Sequence, residues 1–178
     1  ARALVGVKDD LAGSVMFIFQ PAEEGAPEGE TGGAERMLAE GLFQERKPVA
    51  VFGLHTFSNL PAGMIAYRSG PTMASSDRFT ITVKGRQTHG ARPWGGVDPI
   101  VTAAQIVMAV QTIASRQVDV TKAPSVISFG IINGGVRNNI IPDQVELTGT
   151  IRNFDMGIRA QIHEKLKHTA ETVALSAG

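Results

Sequence analysis

The hydrophobic rhythm of this chain changes partway along, and that change constrains its fold more than any other feature. In Ser14-Val15-Met16-Phe17-Ile18-Phe19 every position from Val15 onward is apolar, as in a strand buried on both faces of a parallel sheet. A second such run, Val49-Ala50-Val51-Phe52-Gly53-Leu54, follows a segment that carries Ala34, Met37, Leu38 and Leu42 at helical spacing. Strand, helix, strand in that order predicts a right-handed βαβ unit, and residues 63–69 read as a further strand. After the small, turn-prone stretch that starts at Ser69-Gly70-Pro71, Phe79, Ile81 and Val83 alternate with Thr80, Thr82 and Lys84. That is a strand with one wet face.

Asp98-Pro99 then opens a helix running to about Arg116, with an N-cap residue and proline at the first helical position. Residues 125–133 read as a strand. Residues 144–152 read as another, with Val145, Leu147 and Ile151 on one face and Glu146, Thr148, Thr150 and Arg152 on the other. Asp155 caps a last helix whose apolar stripe is Ile158, Ile162, Leu166, Ala170 and Val173. The order β-α-β-β-α is a split βαβ sandwich short of its final strand, and its open edge invites a further chain segment or a partner.

Composition narrows the function classes. The 178 residues are 43% hydrophobic, enough to bury a core and argue against disorder. Seventeen basic residues balance seventeen acidic ones, without the basic excess of a general nucleic-acid binder. No window is apolar enough to span a membrane, and the absence of cysteine removes disulfide scaffolds and CxxC sites. The chain starts Ala1-Arg2-Ala3-Leu4, without an initiator Met, and ends inside a helical pattern. It therefore reads as a piece of a longer protein, with a cytoplasmic location favoured and any leader lying upstream of Ala1.

Chemistry concentrates at a few turns. Gln20-Pro21-Ala22-Glu23-Glu24-Gly25 places two carboxylates directly after a predicted buried strand, where open α/β sheets put their ligand sites. One could hold a metal while its neighbour takes a proton from water; the alternative is a solvated acidic loop. His55 occupies the equivalent place after the next run, and imidazole with carboxylate suits Zn²⁺ or a similar ion. A hydrogen-bonded structural histidine is the other reading. His89, in Thr88-His89-Gly90-Ala91-Arg92-Pro93, is available to polarise a carbonyl oxygen. Asn139 follows a glycine-rich turn and could donate to a substrate carbonyl. Arg152, on a polar strand face, could take a carboxylate bidentately, though surface arginines usually bind nothing. His163 and His168 belong to the surface of the last helix. Glu24 and His55 alone are fewer than the three or four protein ligands of a tight metal site. There is no GxSxG, Walker loop or GxGxxG.

In order along the chain, Gln20-Pro-Ala-Glu-Glu-Gly, Gly53-Leu-His55, Gly85 through His89-Gly-Ala-Arg-Pro with Asp98-Pro-Ile, Gly134-Gly135 with Asn139-Ile-Ile-Pro142, and Gly149-Thr-Ile-Arg152 closely resemble the metal-dependent aminoacylase-like amidohydrolases and peptidases. That family includes hippurate hydrolases, N-acyl-amino-acid amidohydrolases and auxin-conjugate hydrolases, and is related to di-zinc carboxypeptidases. The resemblance implies that residues 1–74 are an incomplete piece of a di-zinc-peptidase-like catalytic α/β domain. Residues 75–178 would be a ferredoxin-like (βαββα) lid and dimerisation domain.

It implies hydrolysis of the amide bond of an N-acyl amino acid, a hippurate-like small molecule, by water activated on a divalent metal. Two ions per site are expected in the full protein, Zn²⁺ first and Mn²⁺, Co²⁺ or Ni²⁺ as alternatives. Glu23 would be the general base and Glu24 and His55 metal ligands. His89 would reach across a homodimer formed by the lid to stabilise the oxyanion in the partner's site. Asn139 would hold substrate and Arg152 the carboxylate of the amino-acid half. Further family ligands lie outside this stretch, which alone is expected to be inactive. The alternatives are a dipeptidase or carboxypeptidase of the same superfamily and, for this chain by itself, a non-catalytic dimerisation module.

Overall fold

The alternation around Ile81 becomes strand β1 (Asp77–Lys84) in the computed structural model, which describes residues 2–27 and 29–178. Val83 is buried and Phe79 and Ile81 half-buried on one face, while Thr80, Thr82 and Lys84 face solvent. β1 pairs antiparallel with β5 (Gln144–Asn153), and β5 with β3 (Ser125–Gly134), so β5 is central in the order β1-β5-β3. Its central position explains one departure from simple alternation. Thr148 is buried and Thr150 half-buried although both lie on the polar face, because a strand flanked on both sides has its outward side chains shielded by its neighbours. A bulge between Phe129 and Ile131 absorbs one residue of β3.

Two helices cover the other face. α3 (Pro99–Thr112) starts where Asp98 Oδ1 accepts the backbone N–H groups of Ile100 (2.9 Å) and Val101 (3.2 Å), satisfying donors the helix leaves free. It widens into a π-helical turn at Ile113–Gln117, so the helical run ends at the predicted place in a different geometry. α4 (Met156–Ser176) is capped by Asp155, which accepts from Ile158 at 2.8 Å. Its stripe Ile158, Ile162, Leu166 and Ala170 is buried, with Val173 half-buried. These side chains close over Ile106, Val110, Ile113, Val145, Leu147 and Ile151 to form the core. The predicted β-α-β-β-α order is present, with a two-residue ladder, β2 (Thr88–His89) against β4 (Ile140–Ile141), inserted between its elements.

The chain divides into two compact units between Ala62 and Gly63. In the first unit the expected βαβ arrangement is not formed. Residues 14–19 and 49–54 are in no strand, nor are residues 63–69 of the second unit. Phe19, Phe52 and Leu54 are 83%, 91% and 93% exposed. A buried parallel strand takes all its backbone hydrogen bonds and its cover from other elements, and none is available among the described residues of this unit. What does form is local: a short helix α1 (Arg2–Gly6) and α2 (Gly33–Ala39). α2 stops short of the predicted Leu42 because Gly41, at φ 92°, makes a Schellman turn. Its N–H bonds Leu38 O, and that of Leu42 bonds Met37 O. No helix among the described residues is long and apolar enough to cross a membrane.

Candidate functional site

The paired carboxylates sit on a tight turn. Pro21 O accepts the N–H of Gly33 at 2.5 Å and Ala22 O that of Gly25 at 3.2 Å, so the turn is seated at the start of α2. Ala22 adopts φ 48°, the one described non-glycine residue in the left-handed region, where an L side chain costs about 1–2 kcal/mol. Gly32 is close beneath it: a Cβ there would come within 3.0 Å of the Ala22 side chain. Glu23 and Glu24 both project to solvent. His55 is also exposed; its Nδ1 lies 2.8 Å from the carbonyl of Thr56, and its ring is 4.7 Å from that of Phe57. A carbonyl only accepts, so Nδ1 carries the proton and Nε2 the lone pair. Histidines that bind metals are commonly held this way.

The donor types of Glu24 and His55 suit a divalent metal. Among the described residues, however, no three His, Asp or Glu side chains come together as a metal-holding group. Two donors are fewer than a closed site uses, so these residues do not make a metal centre by themselves.

The second unit contributes the other three residues. His89 pairs with Ile140 in the β2–β4 ladder, and Gly90 N–H donates to Asn139 O at 2.7 Å, so the backbone at Asn139 lies against the turn that follows His89. Only glycine fits comfortably here, since a Cβ on Gly90 would sit 3.2 Å from Asn139 O. The turn is closed by Arg92 N–H on His89 O (2.8 Å) and by Thr88 Oγ1 donating to Arg92 O (3.1 Å). Ala91 N–H donates to His89 Nδ1 at 3.1 Å. His89 and Asn139 are both exposed.

Arg152 is exposed opposite Val126, near the far end of β5. It is eight residues from Gln144, or about 26 Å along the strand, so within one chain it does not join the His89–Asn139 pair. His163 lies on α4 as expected, but is not idle: its Nε2 is 3.6 Å from Asp77 Oδ2. His168 is exposed. Sequence reading missed a groove of about 320 Å³ beside the ladder, lined by Gln87, Asn133, Ile140, Asp143 and Glu146 among others. Two-residue strands carry no periodicity, so nothing in the sequence marked the ladder that shapes it.

Residues 74–177, which hold the three-stranded sheet, its two helices and the ladder that carries His89, match the peptidase dimerisation domain of the M20 family. The chain belongs to the M20 family of peptidases. It is 39% identical to a thermostable carboxypeptidase of Saccharolobus solfataricus, over 97% of this chain and 42% of that protein. It is 35% identical to an N-acyl-L-amino acid amidohydrolase of Geobacillus stearothermophilus, over the whole of this chain and 46% of that one. A crystal structure of a dinuclear metal-binding M20 peptidase from Bacillus subtilis aligns with a TM-score of 0.71 at 35% identity, covering 99% of this chain and 41% of that chain. The chain thus spans less than half the length of these relatives.

Proposed function

We propose that this chain is part of a metal-dependent hydrolase that cleaves the amide bond of N-acyl amino acids, including hippurate-like substrates. The observation that supports the reading is the 35% identity, over the whole of this chain, to an N-acyl-L-amino acid amidohydrolase; the residues proposed to act are Glu23, Glu24, His55, His89, Asn139 and Arg152. The divisions proposed are a partial catalytic domain at 1–74 and a lid and dimerisation domain at 75–178.

In this reading Glu24 and His55 hold a metal together with donors from outside this stretch, Zn²⁺ being the first choice and two ions the expected number. Bound metal would supply Lewis-acid polarisation of water and of the scissile carbonyl. Glu23 takes the proton of the attacking water and passes it to the departing amine. His89 donates to the carbonyl oxygen as negative charge develops there. Asn139 hydrogen-bonds the substrate, and the guanidinium of Arg152 receives the carboxylate of the amino-acid half. Because Arg152 is far along β5 from His89, these groups act on one substrate only if different subunits supply them. A homodimer is accordingly part of the proposal.

The test is hydrolysis of N-acetyl and N-benzoyl amino acids and of dipeptides by the full-length protein with Zn²⁺, Mn²⁺ or Co²⁺ added. Metal-dependent release of free amino acid is expected from the acyl amino acids. It should fall about a hundredfold or more in Glu23→Gln with metal still bound, whereas Glu24→Ala should lower metal affinity. Normal turnover in both variants would remove the site assignment. A second reading, peptide cleavage, is favoured by the 39% identity to a carboxypeptidase; turnover of dipeptides alone would select it. By itself this chain acts as a dimerisation module, with too few metal donors for catalysis.

A further inference from the structure

We infer that Arg78 is a specificity-determining residue beside Arg152, and that the two together take an amino-acid half carrying a second carboxylate. The inference deepens the proposed function and rests on it for the role of Arg152. Strand register puts both guanidinium groups on one face of the sheet. Arg78 on β1 is directly opposite Thr150 on β5, and residues directly opposite share a face. Arg152 is two residues beyond Thr150 and projects from that same face. Arg78 and Arg152 are thus diagonal neighbours about 7–8 Å apart, a spacing that long side chains bridge. Both are exposed, on the face that the two helices leave uncovered.

The chain does not neutralise this pair of charges. Arg78 and Arg152 form no ion pair among the described residues, whereas Arg36, Arg159, His163 and Lys167 each meet a carboxylate. Asp77, next to Arg78 in sequence, turns to the opposite face and is held there by Arg159. Glu146 is on the exposed face, but six residues before Arg152 and so about 20 Å away along β5. Between the arginines, Thr150 Oγ1 donates to Asp77 O at 3.0 Å, so its proton is engaged and it spaces the two guanidinium groups. Val126, opposite Arg152 on β3 and 51% exposed, adds apolar surface beside them.

Like charges side by side on a sheet repel, and an anion that meets both turns the repulsion into attraction. Each guanidinium is a planar fork matched to one carboxylate. A single arginine suffices for the α-carboxylate of any acyl amino acid, so a second one discriminates among side chains. The class that occupies both forks is a dicarboxylic amino-acid half, an N-acyl aspartate or glutamate, whose two carboxylates share one short carbon chain.

The test compares N-acetyl-glutamate with its neutral isostere N-acetyl-glutamine, on the full-length protein with Zn²⁺ added. The unmutated protein should favour the glutamate compound in kcat/KM by about tenfold or more, the factor that one hydrogen bond between charged groups supplies. Arg78→Gln should bring that ratio close to one, with the change in KM, and Arg78→Lys should restore part of it by returning the charge. Lys84→Gln removes a cation from the other end of the same face of β1 and should keep the ratio. A ratio near one in the unmutated protein would overturn the inference. So would a ratio that Arg78→Gln leaves intact, or one that Lys84→Gln removes equally. If neither compound is hydrolysed, the amide-hydrolase reading fails and the arginine pair is read by calorimetry with glutarate and butyrate. Tighter binding of glutarate, lost in Arg78→Gln, would then uphold the pair, and equal binding of the two would overturn it.

Discussion

At Gly149 the fold turns on a missing side chain. Gly149 is opposite Phe79 on β1 and Phe129 on β3, whose rings meet edge to face at 5.2 Å across it. A Cβ there would lie 2.3 Å from the Phe79 ring and 2.3 Å from Ser128 O. One of those neighbours is backbone in the middle of a sheet and cannot give way cheaply. Gly149→Ala should therefore destabilise the second unit by about 1–3 kcal/mol, the usual range for overpacking. Chemical denaturation would reveal it as a lower midpoint at an unchanged slope. The glycine was visible in the sequence as part of Gly149-Thr-Ile-Arg152, but its reason was not. Two phenylalanines fifty residues apart carry no local sign that they converge. The same holds for His55 and His89. Their place after a hydrophobic run or strand was legible, whereas the backbone groups that contact their rings appear only once the turns are closed.

Between elements, the packing of α4 on the sheet carries one strong electrostatic link. Asp77 begins β1, with a side chain 10% exposed, and pairs with the guanidinium of Arg159 on the first turn of α4. Arg159 Nε donates at 2.8 Å, Ser75 Oγ at 3.2 Å, and His163, one turn further along, faces the same carboxylate. The Arg159 hydrogen bonds, against some desolvation, lower the Asp77 pKa from 3.8 to about 2. A carboxylate whose folded pKa is depressed stabilises the fold above its unfolded pKa, and that contribution is lost as pH falls through the folded value. The clamp should therefore be intact above about pH 4 and released between about pH 4 and 2. Thermal melts across that window should show a loss of stability in the unmutated chain that Asp77→Asn lacks, the variant being less stable already at pH 7. An equal slope in both proteins would assign the acid sensitivity elsewhere. Elements with a strong period and a cap, such as β1, α3, β5 and α4, were readable residue by residue because their partners lie in the same unit. Residues 14–19 and 49–54 have an equally clear apolar pattern and form no strand. A pattern states which face seeks cover, and the neighbours decide whether cover is present.

For the molecule as a whole, the exposed face of α3 is out of keeping with a solvated helix. Ile100, Val101 and Met108 are 47%, 54% and 72% exposed and line a shallow apolar groove with Ala104, Gln105 and Ala109. An amphipathic surface helix normally turns polar residues outward, and a continuous apolar strip marks an association surface. The match to a peptidase dimerisation domain over residues 74–177 makes a second copy of the chain the occupant to test. Two chains meeting there would also supply the second subunit that the separation of His89 from Arg152 requires in the proposed site. The competing source of association is the first unit, where Phe19, Phe52 and Leu54 are exposed without regular structure. A charge placed in the strip separates the two. Met108→Glu would bury a carboxylate against the partner's apolar face, a penalty of several kcal/mol if left unpaired, while leaving the monomer fold untouched at a solvent-facing position. Light scattering on a size-exclusion column should give twice the 18.9 kDa chain mass for the unmutated protein and the single mass for Met108→Glu. A dimer that survives the substitution would move the interface off α3 and the first-unit residues would become the place to look. A monomer in both cases would leave the His89–Asn139 pair and Arg152 with no second subunit to act with.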